Sequence, residues 1–558
     1  MFLRSARIPL LVLILLSGLV MGFNLGSSSL HNQDEAMHAV IAREAVTQGN
    51  WIPLTYNGSP YFNKPPLRIW LTALTFKAAG INEWSVRIWS ALSGLGTVLA
   101  LYLVGRRLWG ERTAIFSSLL LLTSHQYIYN HCVRSGETDS MLIFFWTCGL
   151  LLLQLAVQER NRRLLYFVAA SIGLCGMVKH LGFVPIVLSI AIGYVVLAGV
   201  WRTFPWRAWG AGLGIVFAVA LPWHLLIWWL EGQDFVQRYL LGEVVEKRLE
   251  AKGGGPALLP AGQWASWLTM ARGFFPWSCL LPFAFVGVLG RTQARRRWLM
   301  PALWFLVAMA TTMISGRKFS WYVLPAFPAA AILVAGLIDR FLDETSAAWT
   351  RASVLFGGLL ALASVTNAAI HNPFEAMARM AMLGVHFLGR LRGPESTLLS
   401  ALALVIAIAV VVAFAYRFLA RLGDPTRARR VARVLFISCL VGLALYTVLV
   451  PLKFSHALSP HHEMALAAEA HLAAGEILNV RLPRRKRVYP IFNFYFRDKN
   501  LRIMRAMELT PHEIPGELLL TDVATLDEIR QAIPDLRLPD QPLAQAKGLL
   551  LLRLPRSE

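Results

Sequence analysis

Long apolar stretches alternate with short polar ones along most of this chain. Runs of roughly twenty apolar residues, bounded by arginine-rich segments, are typical of helices that cross a bilayer. The pattern predicts thirteen such helices, at about residues 8–25, 88–105, 113–130, 140–157, 164–178, 182–199, 208–229, 275–290, 299–314, 321–338, 351–370, 398–418 and 434–451. Residues 164–199 fit either a helix pair or a less regular segment around Lys179-His180. The predicted fold class is therefore mainly α, a polytopic membrane protein.

The loops between these helices fall into two sets that predict their orientation. One set is short and rich in arginine, as in Arg106, Arg107 and Arg112, and such loops stay cytoplasmic. The other set is longer and carries the acidic residues; it comprises residues 26–87, 131–139, 230–274, 315–320, 371–397 and 452–558. This alternation predicts a cytoplasmic N-terminus and a C-terminal region on the outer side of the membrane. Residues 8–23 also fit a cleaved signal peptide, although the alternation works with the segment retained.

Composition supports the membrane class and narrows the partners. The chain has 558 residues, of which 56% are hydrophobic and only 15% are charged, and a soluble domain cannot bury that much apolar surface. The formal net charge is +22, and most of the excess is explained by the cytoplasmic arginines. Further basic residues between 481 and 505 suit an anionic membrane surface or lipid head group, or form a solvated face. We therefore expect membrane lipids, and no nucleic acid, as partners.

The first outer loop places two adjacent carboxylates, Asp34 and Glu35, just past the first apolar segment. Acids so close to a membrane surface are costly and indicate a functional site. Asn32 followed by Glu35 forms a capping-box pattern, which predicts a helix over 33–48 with Glu35 as the capping partner. Asp34 then lies in the first turn, where the helix dipole favours an ionised carboxylate. His38 shares its face, so this pair could bind a metal or form a hydrogen bond.

Two further segments of the outer loops carry candidate chemistry. Tyr56–Leu67 is rich in Pro, Gly and aromatic residues, with Lys64 as its one cation, and precedes an apolar, Trp-bearing segment expected to form an interfacial helix over 67–80. Lys64 could grip a phosphate or simply snorkel to the interface. The next outer loop, 130–140, carries Glu137 and Asp139. Asp139 precedes a predicted helix, where it fits either an anionic site residue or a helix cap.

These motifs resemble those of the GT-C glycosyltransferases, in the protein O-mannosyltransferase-related branch and most closely its lipid A aminoarabinose transferases. The similarity is carried by Asp-Glu-Ala-Met-His at 34–38, Gly-Asn-Trp-Ile-Pro-Leu at 49–54 and Tyr-Phe-Asn-Lys-Pro-Pro at 61–66. The resemblance implies transfer of 4-amino-4-deoxy-L-arabinose from undecaprenyl phosphate to a lipid A phosphate, a modification linked to polymyxin resistance. It also implies that Asp34 is the main catalytic carboxylate, Asp139 the second catalytic acid, and Lys64 a ligand of the donor phosphate.

Physical reasoning extends this set of residues. Breaking a sugar–phosphate bond leaves an anion that cations must neutralise. The candidate phosphate-binding residues are Lys64, Tyr61, Arg248, Arg317, Lys318 and Tyr322, and the secondary acids are Glu35, Glu137 and Glu243. The chain departs from relatives at Asn63, where an acid is common, and at Glu243-Val244, where Glu-His is common, which puts a metal in doubt. No cofactor is certain; a divalent metal would use Asp34, His38 and Glu243.

The domain organisation predicted is a transmembrane catalytic part, 1–451, and an outer α/β domain, 452–558. In the second part, Val488–Phe496 is predicted as a strand, and Leu518–Thr521, Thr525–Ile533 and Gly548–Leu554 as strand, helix and strand. A monomer is expected. The alternatives are a related transferase that moves another sugar to a protein or glycolipid, a lipid-binding scaffold, and a transporter. The transporter is disfavoured because the acids lie in loops and no internal repeat is evident.

Overall fold

The computed structural model describes most of residues 7–343 and parts of the C-terminal region. The described residues are 7–30, 33–246, 260–275, 277–289, 295–315, 319–343, 460–471, 478–480, 494–495, 501–503, 518–522, 526, 539, 541–546 and 549–553. The predicted helices 351–370, 398–418 and 434–451 lie outside the described residues, and so do the site candidates Arg248, Arg317 and Lys318.

The described part of the chain is mainly helical. Its helices are α1 (Arg7–Ser17), α2 (Gln33–Thr47), α3 (Leu67–Ala79), α4 (Glu83–Leu108), α5 (Glu111–Leu122), α6 (His125–Tyr129), α7 (Asp139–Glu159), α8 (Arg162–Val178), α9 (Phe183–Leu197), α10 (Trp206–Phe235), α11 (Pro260–Gly273), α12 (Leu281–Leu289), α13 (Arg295–Ile314), α14 (Phe327–Asp343) and α15 (Pro460–His471). Helix α1 continues as a π-helical turn, Gly18–Gly22, α10 as a π-helical segment, Val236–Glu246, and a 3₁₀ turn, Ser320–Ala326, precedes α14.

Five helices of the described region are long and apolar enough to cross a membrane. They are Glu83–Leu108, Asp139–Glu159, Trp206–Glu243, Arg296–Ile314 and Ser320–Arg340. Arg7–Gly22 and Phe183–Leu197 are shorter apolar helices. The mainly helical, multi-pass class predicted from the hydropathy pattern is thus confirmed, while the total of thirteen spans stays a prediction. The alternative of a helix pair within 164–199 is the one observed, with the break between the helices at Lys179–Gly182.

The predicted helix 113–130 is wrong as a continuous element. The chain leaves the helix after Leu122 and begins a short new helix at His125. Three side chains compete for backbone carbonyls or tie the break to the 3₁₀ turn: Thr123 Oγ1 donates to Leu119 O at 2.8 Å, Ser124 Oγ donates to Leu120 O at 2.7 Å, and Asn130 Nδ2 donates to Ser320 Oγ at 3.0 Å. Such local hydrogen bonds offer the backbone an alternative to the helix ladder.

Two large apolar cores and one small one, around Trp223 and Tyr239, are present among the described residues. The larger one lies among the long helices and buries Tyr102, Trp146 and Trp304 almost fully. The second joins the first outer loop to the C-terminal region, because Val40 and Ile69 pack in one cluster with residues such as Met464 and Leu551. The outer loop that carries Asp34 is therefore packed between the long helices and the C-terminal part of the chain.

The C-terminal region contains a five-stranded mixed sheet. Its strands are β3 (Leu478–Val480), β4 (Leu501–Ile503), β5 (Leu518–Asp522), β6 (Ala544–Ala546) and β7 (Leu549–Arg553), after a short hairpin of β1 (Thr55–Tyr56) and β2 (Ser59–Pro60) in the first outer loop. The order is β4-β3-β5-β7-β6; β3 is parallel to β4 and β5, and β7 is antiparallel to β5 and β6.

Two of the predicted C-terminal strands coincide with β5 and β7. The strand predicted at Val488–Phe496 is wrong at its described residues, since Phe494 and Tyr495 are helical and buried. Apart from Leu526, which is helical, the helix predicted at Thr525–Ile533 lies outside the described residues.

Candidate active site

Helix α2 positions Asp34 as the sequence predicts. The helix begins at Gln33 and has both Asp34 and Glu35 in its first turn. Successive residues of a helix point about 100° apart, so the two neighbouring carboxylates face different surroundings. Asp34 is half-buried and faces a cluster of titratable side chains, whereas Glu35 is buried against Arg87.

The predicted capping partner of Glu35, Asn32, lies outside the described residues, and Glu35 has other, structural partners. Its Oε1 lies 2.8 Å from Arg87 Nε and also accepts a hydrogen bond from Gly136 N at 2.8 Å. Arg87 Nη2 donates to the other carboxylate oxygen, Oε2, at 3.4 Å, so both oxygens of Glu35 accept hydrogen bonds. Arg87 further donates to the backbone carbonyls of Leu25, Ser28 and Ser29. This pair ties α2, α4 and the outer loop 130–138 together.

Asp139, at the first turn of α7, holds two basic side chains. Lys179 Nζ lies 2.6 Å from its Oδ1, and His131 Nδ1 lies 3.2 Å from its Oδ2. All three side chains are buried, and His131 also stacks on Trp321 with the ring centroids 4.0 Å apart and the planes 4° from parallel. Opposite charges at such short distances stabilise one another strongly in a buried site. Asp139 therefore orients Lys179 and His131.

Glu137 lies on the other side of the His131 ring. Its Oε1 is 3.3 Å from His131 Nε2, and its Oε2 is 3.9 Å from His38 Nδ1. Burial raises the pKa of Glu137 to about 8, outweighing the opposing effect of His131. Burial alone would lower the pKa of His131, but Glu137 and Asp139 on its two sides raise it above its ordinary value. His131 therefore lies between two carboxyl groups that favour its protonated form.

Asp34 completes this cluster and is ionised. Burial alone would raise the pKa of Asp34, but the surrounding basic side chains outweigh it and hold the pKa below its ordinary value. These side chains, in order of effect, are His38, Lys64, His131 and Lys179. The prediction that Asp34 stays ionised is thus supported, with neighbouring basic groups as the cause.

His38 does not form the hydrogen bond to Asp34 that the spacing allows. It is buried, and neither of its ring nitrogens has a hydrogen-bond partner among the described residues. Burial lowers its pKa to about 4, so the ring is neutral at physiological pH. Tyr61 is also buried nearby, and burial, followed by the charge of Asp34, raises the pKa of its hydroxyl well above the ordinary value.

Lys64 is close enough to Asp34 to lower the pKa of that carboxyl, and it follows a hairpin that is fixed by hydrogen bonds. The β1–β2 hairpin before it is fixed by Glu44, which accepts hydrogen bonds from Thr55 Oγ1 and Asn57 N, both at 2.7 Å. Lys64 Nζ is 3.9 Å from Glu243 Oε2, a looser approach than that of Lys179 to its carboxylate. Burial lowers the pKa of Lys64.

A cavity of about 340 Å³ opens beside these residues. Its lining combines polar or charged residues with apolar ones. The polar or charged residues are Lys64, Asp139, Lys179, His180, Glu243, Thr311, Thr312, Ser315 and Tyr322, and the apolar residues include Phe183, Ile186, Ile314 and Pro325. Such a mixed lining, with two lysines in it, suits a molecule that has both an anionic and an apolar part.

The cluster is chemically unsuited to a resident divalent metal. Ligand atoms of Asp34, His131 and Glu137 lie within 4.8 Å of one another, which makes them the metal-like group among the described residues. His38 and Glu243, which were predicted as ligands with Asp34, do not belong to it. Both ring nitrogens of His131 already face carboxylates, and Lys64 and Lys179 supply positive charge beside Asp34. A metal would have to displace the carboxylate contacts of His131 and would be repelled by the two lysines.

The structure brings together Asp34, Asp139, Glu137, Lys64, Glu243 and Tyr322 of the residues predicted from sequence. The sequence reasoning missed Lys179 and His131 as members of the site. Lys179 has a sequence signal, since an ionisable residue between two apolar helices is costly and indicates function. His131 could be assigned to the site only once its acidic partners were known, because a histidine in a polar turn is ordinary.

Comparison with known proteins confirms the resemblance found from the motifs. Residues 63–228 match the family described as dolichyl-phosphate-mannose-protein mannosyltransferase. An undecaprenyl phosphate-alpha-4-amino-4-deoxy-L-arabinose arabinosyl transferase of Pseudomonas fluorescens is 28% identical over 60% of this chain and 58% of its own length. A relative of the same description from Pseudomonas aeruginosa is 29% identical over 66% of this chain and 67% of its own length. The match spans about three fifths of the length of the first such relatives.

The fold is also shared with a solved structure. The crystal structure of ArnT from Cupriavidus metallidurans bound to undecaprenyl phosphate superposes with a TM-score of 0.66, at 20% identity, over 97% of each chain. The chain thus has a fold similar to that of this protein.

Proposed function

We propose that this chain, which resembles the GT-C glycosyltransferases in sequence and fold, transfers 4-amino-4-deoxy-L-arabinose from undecaprenyl phosphate to a lipid A phosphate. The reaction takes place on the outer face of the bacterial inner membrane, with the N-terminus in the cytoplasm and the 452–558 domain in the periplasm. The names of the relatives described above give the undecaprenyl phosphate-linked aminoarabinose and its transfer, which supports the donor in this proposal.

The observation that carries the proposal is the mixed lining of the cavity. Lys64 and Lys179 line it together with apolar residues that include Phe183, Ile186 and Pro325. A polyprenyl phosphate has both kinds of surface, with a charged head and a long hydrocarbon tail. A water-soluble nucleotide sugar would leave the apolar residues unused, so the lining favours a lipid-linked donor.

The charged groups then divide the work. Lys64 binds the donor phosphate and neutralises the charge that grows on it as the sugar leaves, with Tyr322 beside it in the cavity. Asp34 is ionised and stabilises the positive character of the sugar as its bond to phosphate breaks. A phosphate acceptor needs little deprotonation, so Asp34 is not required as a strong base. Asp139 fixes Lys179 and His131, which complete the positive field around the phosphate.

The direct test is mass spectrometry of lipid A from cells with and without this protein. A pentosamine-sized addition that depends on the protein supports both donor and acceptor. Asp34→Asn should abolish it, while Glu159→Gln, a carboxylate exposed at the far end of α7, should leave it intact. Membrane insertion of each variant is checked by its yield in the membrane fraction. An unchanged addition in a correctly inserted Asp34→Asn protein would refute the catalytic assignment.

A second candidate is a transferase of the same fold that modifies a protein. The observation that favours it is the match of residues 63–228 to a family described by a protein mannosyltransferase activity. If lipid A is unchanged, glycan analysis of membrane and secreted proteins from the same two strains would detect the lost modification. A loss of protein-linked sugar would replace the lipid acceptor in the proposal and keep the site.

A further inference from the structure

Tyr495 joins the C-terminal region to the segment that leads into the Asp34 helix. Its hydroxyl accepts a hydrogen bond from Leu30 N at 2.7 Å and donates to Glu83 Oε1 at 3.0 Å. The tyrosine is buried, and its two partners lie more than 400 positions earlier in the chain. One hydroxyl thus links the C-terminal region both to the start of α4 and to the segment before α2.

The peptide group between Ser29 and Leu30 is held from two sides. Its carbonyl accepts a hydrogen bond from Arg87 Nη2 at 3.0 Å, and its N–H donates to Tyr495. Buried backbone groups are nearly always paired, so losing one partner here leaves a buried N–H unsatisfied. Leu30 lies four residues before Asp34 and is fully buried. The position of this peptide therefore helps to set where α2 begins and where Asp34 points.

Further contacts surround Tyr495. His462 stacks on its ring with the centroids 3.6 Å apart, and His462 Nδ1 lies 3.0 Å from Ser29 Oγ. Arg43, on α2, donates to Phe494 O at 3.3 Å. Apolar residues of α2 and α15 share one buried cluster behind these contacts. The C-terminal region thus contacts the segment just before α2, Arg43 within α2, and the apolar face of that helix.

We propose that Tyr495 is a positioning residue for Asp34, so that the C-terminal region aligns the catalytic helix as well as adding stability. The inference rests on the proposed transferase function. Transfer requires the Asp34 carboxylate to be held against the sugar, and a displacement of about 1 Å can cost on the order of 100-fold in rate. Lys64, the proposed ligand of the donor phosphate, lies on another segment of the chain, so we expect donor binding not to depend on Tyr495.

Tyr495→Phe tests the inference because it removes both hydrogen bonds and keeps the ring. In the purified full-length protein, with aminoarabinosyl undecaprenyl phosphate and lipid A as substrates, we expect kcat to fall about tenfold while the donor KM changes less than about twofold. Hydrogen–deuterium exchange should become faster in peptides covering residues 24–35. Tyr166→Phe, a matched change at a half-exposed tyrosine of α8, should alter neither quantity.

Glu83→Gln serves as the second variant if Tyr495→Phe unfolds. It keeps an acceptor for the Tyr495 hydroxyl but removes the charge that strengthens this hydrogen bond. A smaller fall in kcat and a smaller increase in exchange at residues 24–35, with an unchanged thermal midpoint, support the inference. Wild-type exchange at residues 24–35 and wild-type kcat in the variants would overturn it. If the wild-type protein transfers no sugar, the proposed function fails, and the exchange data still decide whether Tyr495 holds the segment.

Discussion

Asp34 and Glu35 are neighbours in sequence, but neutralising Asp34 should reduce activity, whereas neutralising Glu35 should reduce stability. Glu35 pairs with buried Arg87 and accepts a hydrogen bond from Gly136 N, whereas Asp34 lies close to His131 and Glu137. Removing one partner of a buried ion pair leaves the other charge uncompensated and costs about 3–5 kcal/mol. The remaining carbonyl partners of Arg87 at Leu25, Ser28 and Ser29 cannot replace a negative charge. Glu35→Gln should therefore lose a large part of the free energy of unfolding.

The assay is thermal unfolding of the purified protein in detergent, with Glu159→Gln as the matched control. Glu159 pairs with Arg107 at 3.4 Å, but both side chains are exposed, and such pairs contribute only about 0–1 kcal/mol. Glu35→Gln should lower the thermal midpoint several times more than Glu159→Gln. A double variant with Arg87→Gln should recover part of the loss, because it removes the uncompensated charge. Equal midpoints for Glu35→Gln and Glu159→Gln would refute this account of the Glu35–Arg87 pair.

Three further predictions concern Asp34, Lys64 and Glu137. Asp34→Asn should lower kcat by a factor of at least about 100 with the thermal midpoint nearly unchanged, measured in a lipid A transfer assay. Lys64→Met should raise the donor KM more than it lowers kcat, whereas Lys77→Met, a change at a lysine over the Trp51 ring, should do neither. Glu137 has its pKa raised to about 8 by burial, so its contribution to stability is complete below its unfolded pKa and is lost as pH rises through about 8. Between pH 5 and pH 9 the wild-type midpoint should therefore fall more than that of Glu137→Gln; parallel curves would contradict the raised pKa.

The long helices were predictable because each segment that crosses a bilayer must be mainly apolar and must pair its own backbone polar groups. The apolar pattern therefore located α4, α7 and α10 within a few residues, and the capping signals located the start of α2. The break after Leu122 was not predictable, since hydropathy does not report hydroxyl side chains that bond to the preceding turn.

The site was predictable only where one residue carries its own signal. Asp34 and Lys64 are unusual in their local sequence, because an acid or a lone cation near a membrane surface is costly. The long-range partner of Glu35 was not predictable, since Arg87 lies 52 residues away and a capping box reports only the local sequence. Lys179 joins the site through Asp139, which is 40 residues away, and no local pattern reports that pairing.

The two lysines of the cavity differ in how firmly their own carboxylates hold them, and this difference assigns their roles. Lys179 lies 2.6 Å from Asp139, which also binds His131, so moving Lys179 onto a ligand would break a buried, charge-assisted network. Lys64 lies 3.9 Å from Glu243, beyond normal hydrogen-bond length, and a phosphate at 2.7–2.9 Å would be the stronger partner. An arriving donor can thus take Lys64 as a direct ligand, while Lys179 stays with Asp139 and contributes a fixed positive charge. The donor phosphate is thus expected to meet Lys64 as the cation held least firmly by its own carboxylate.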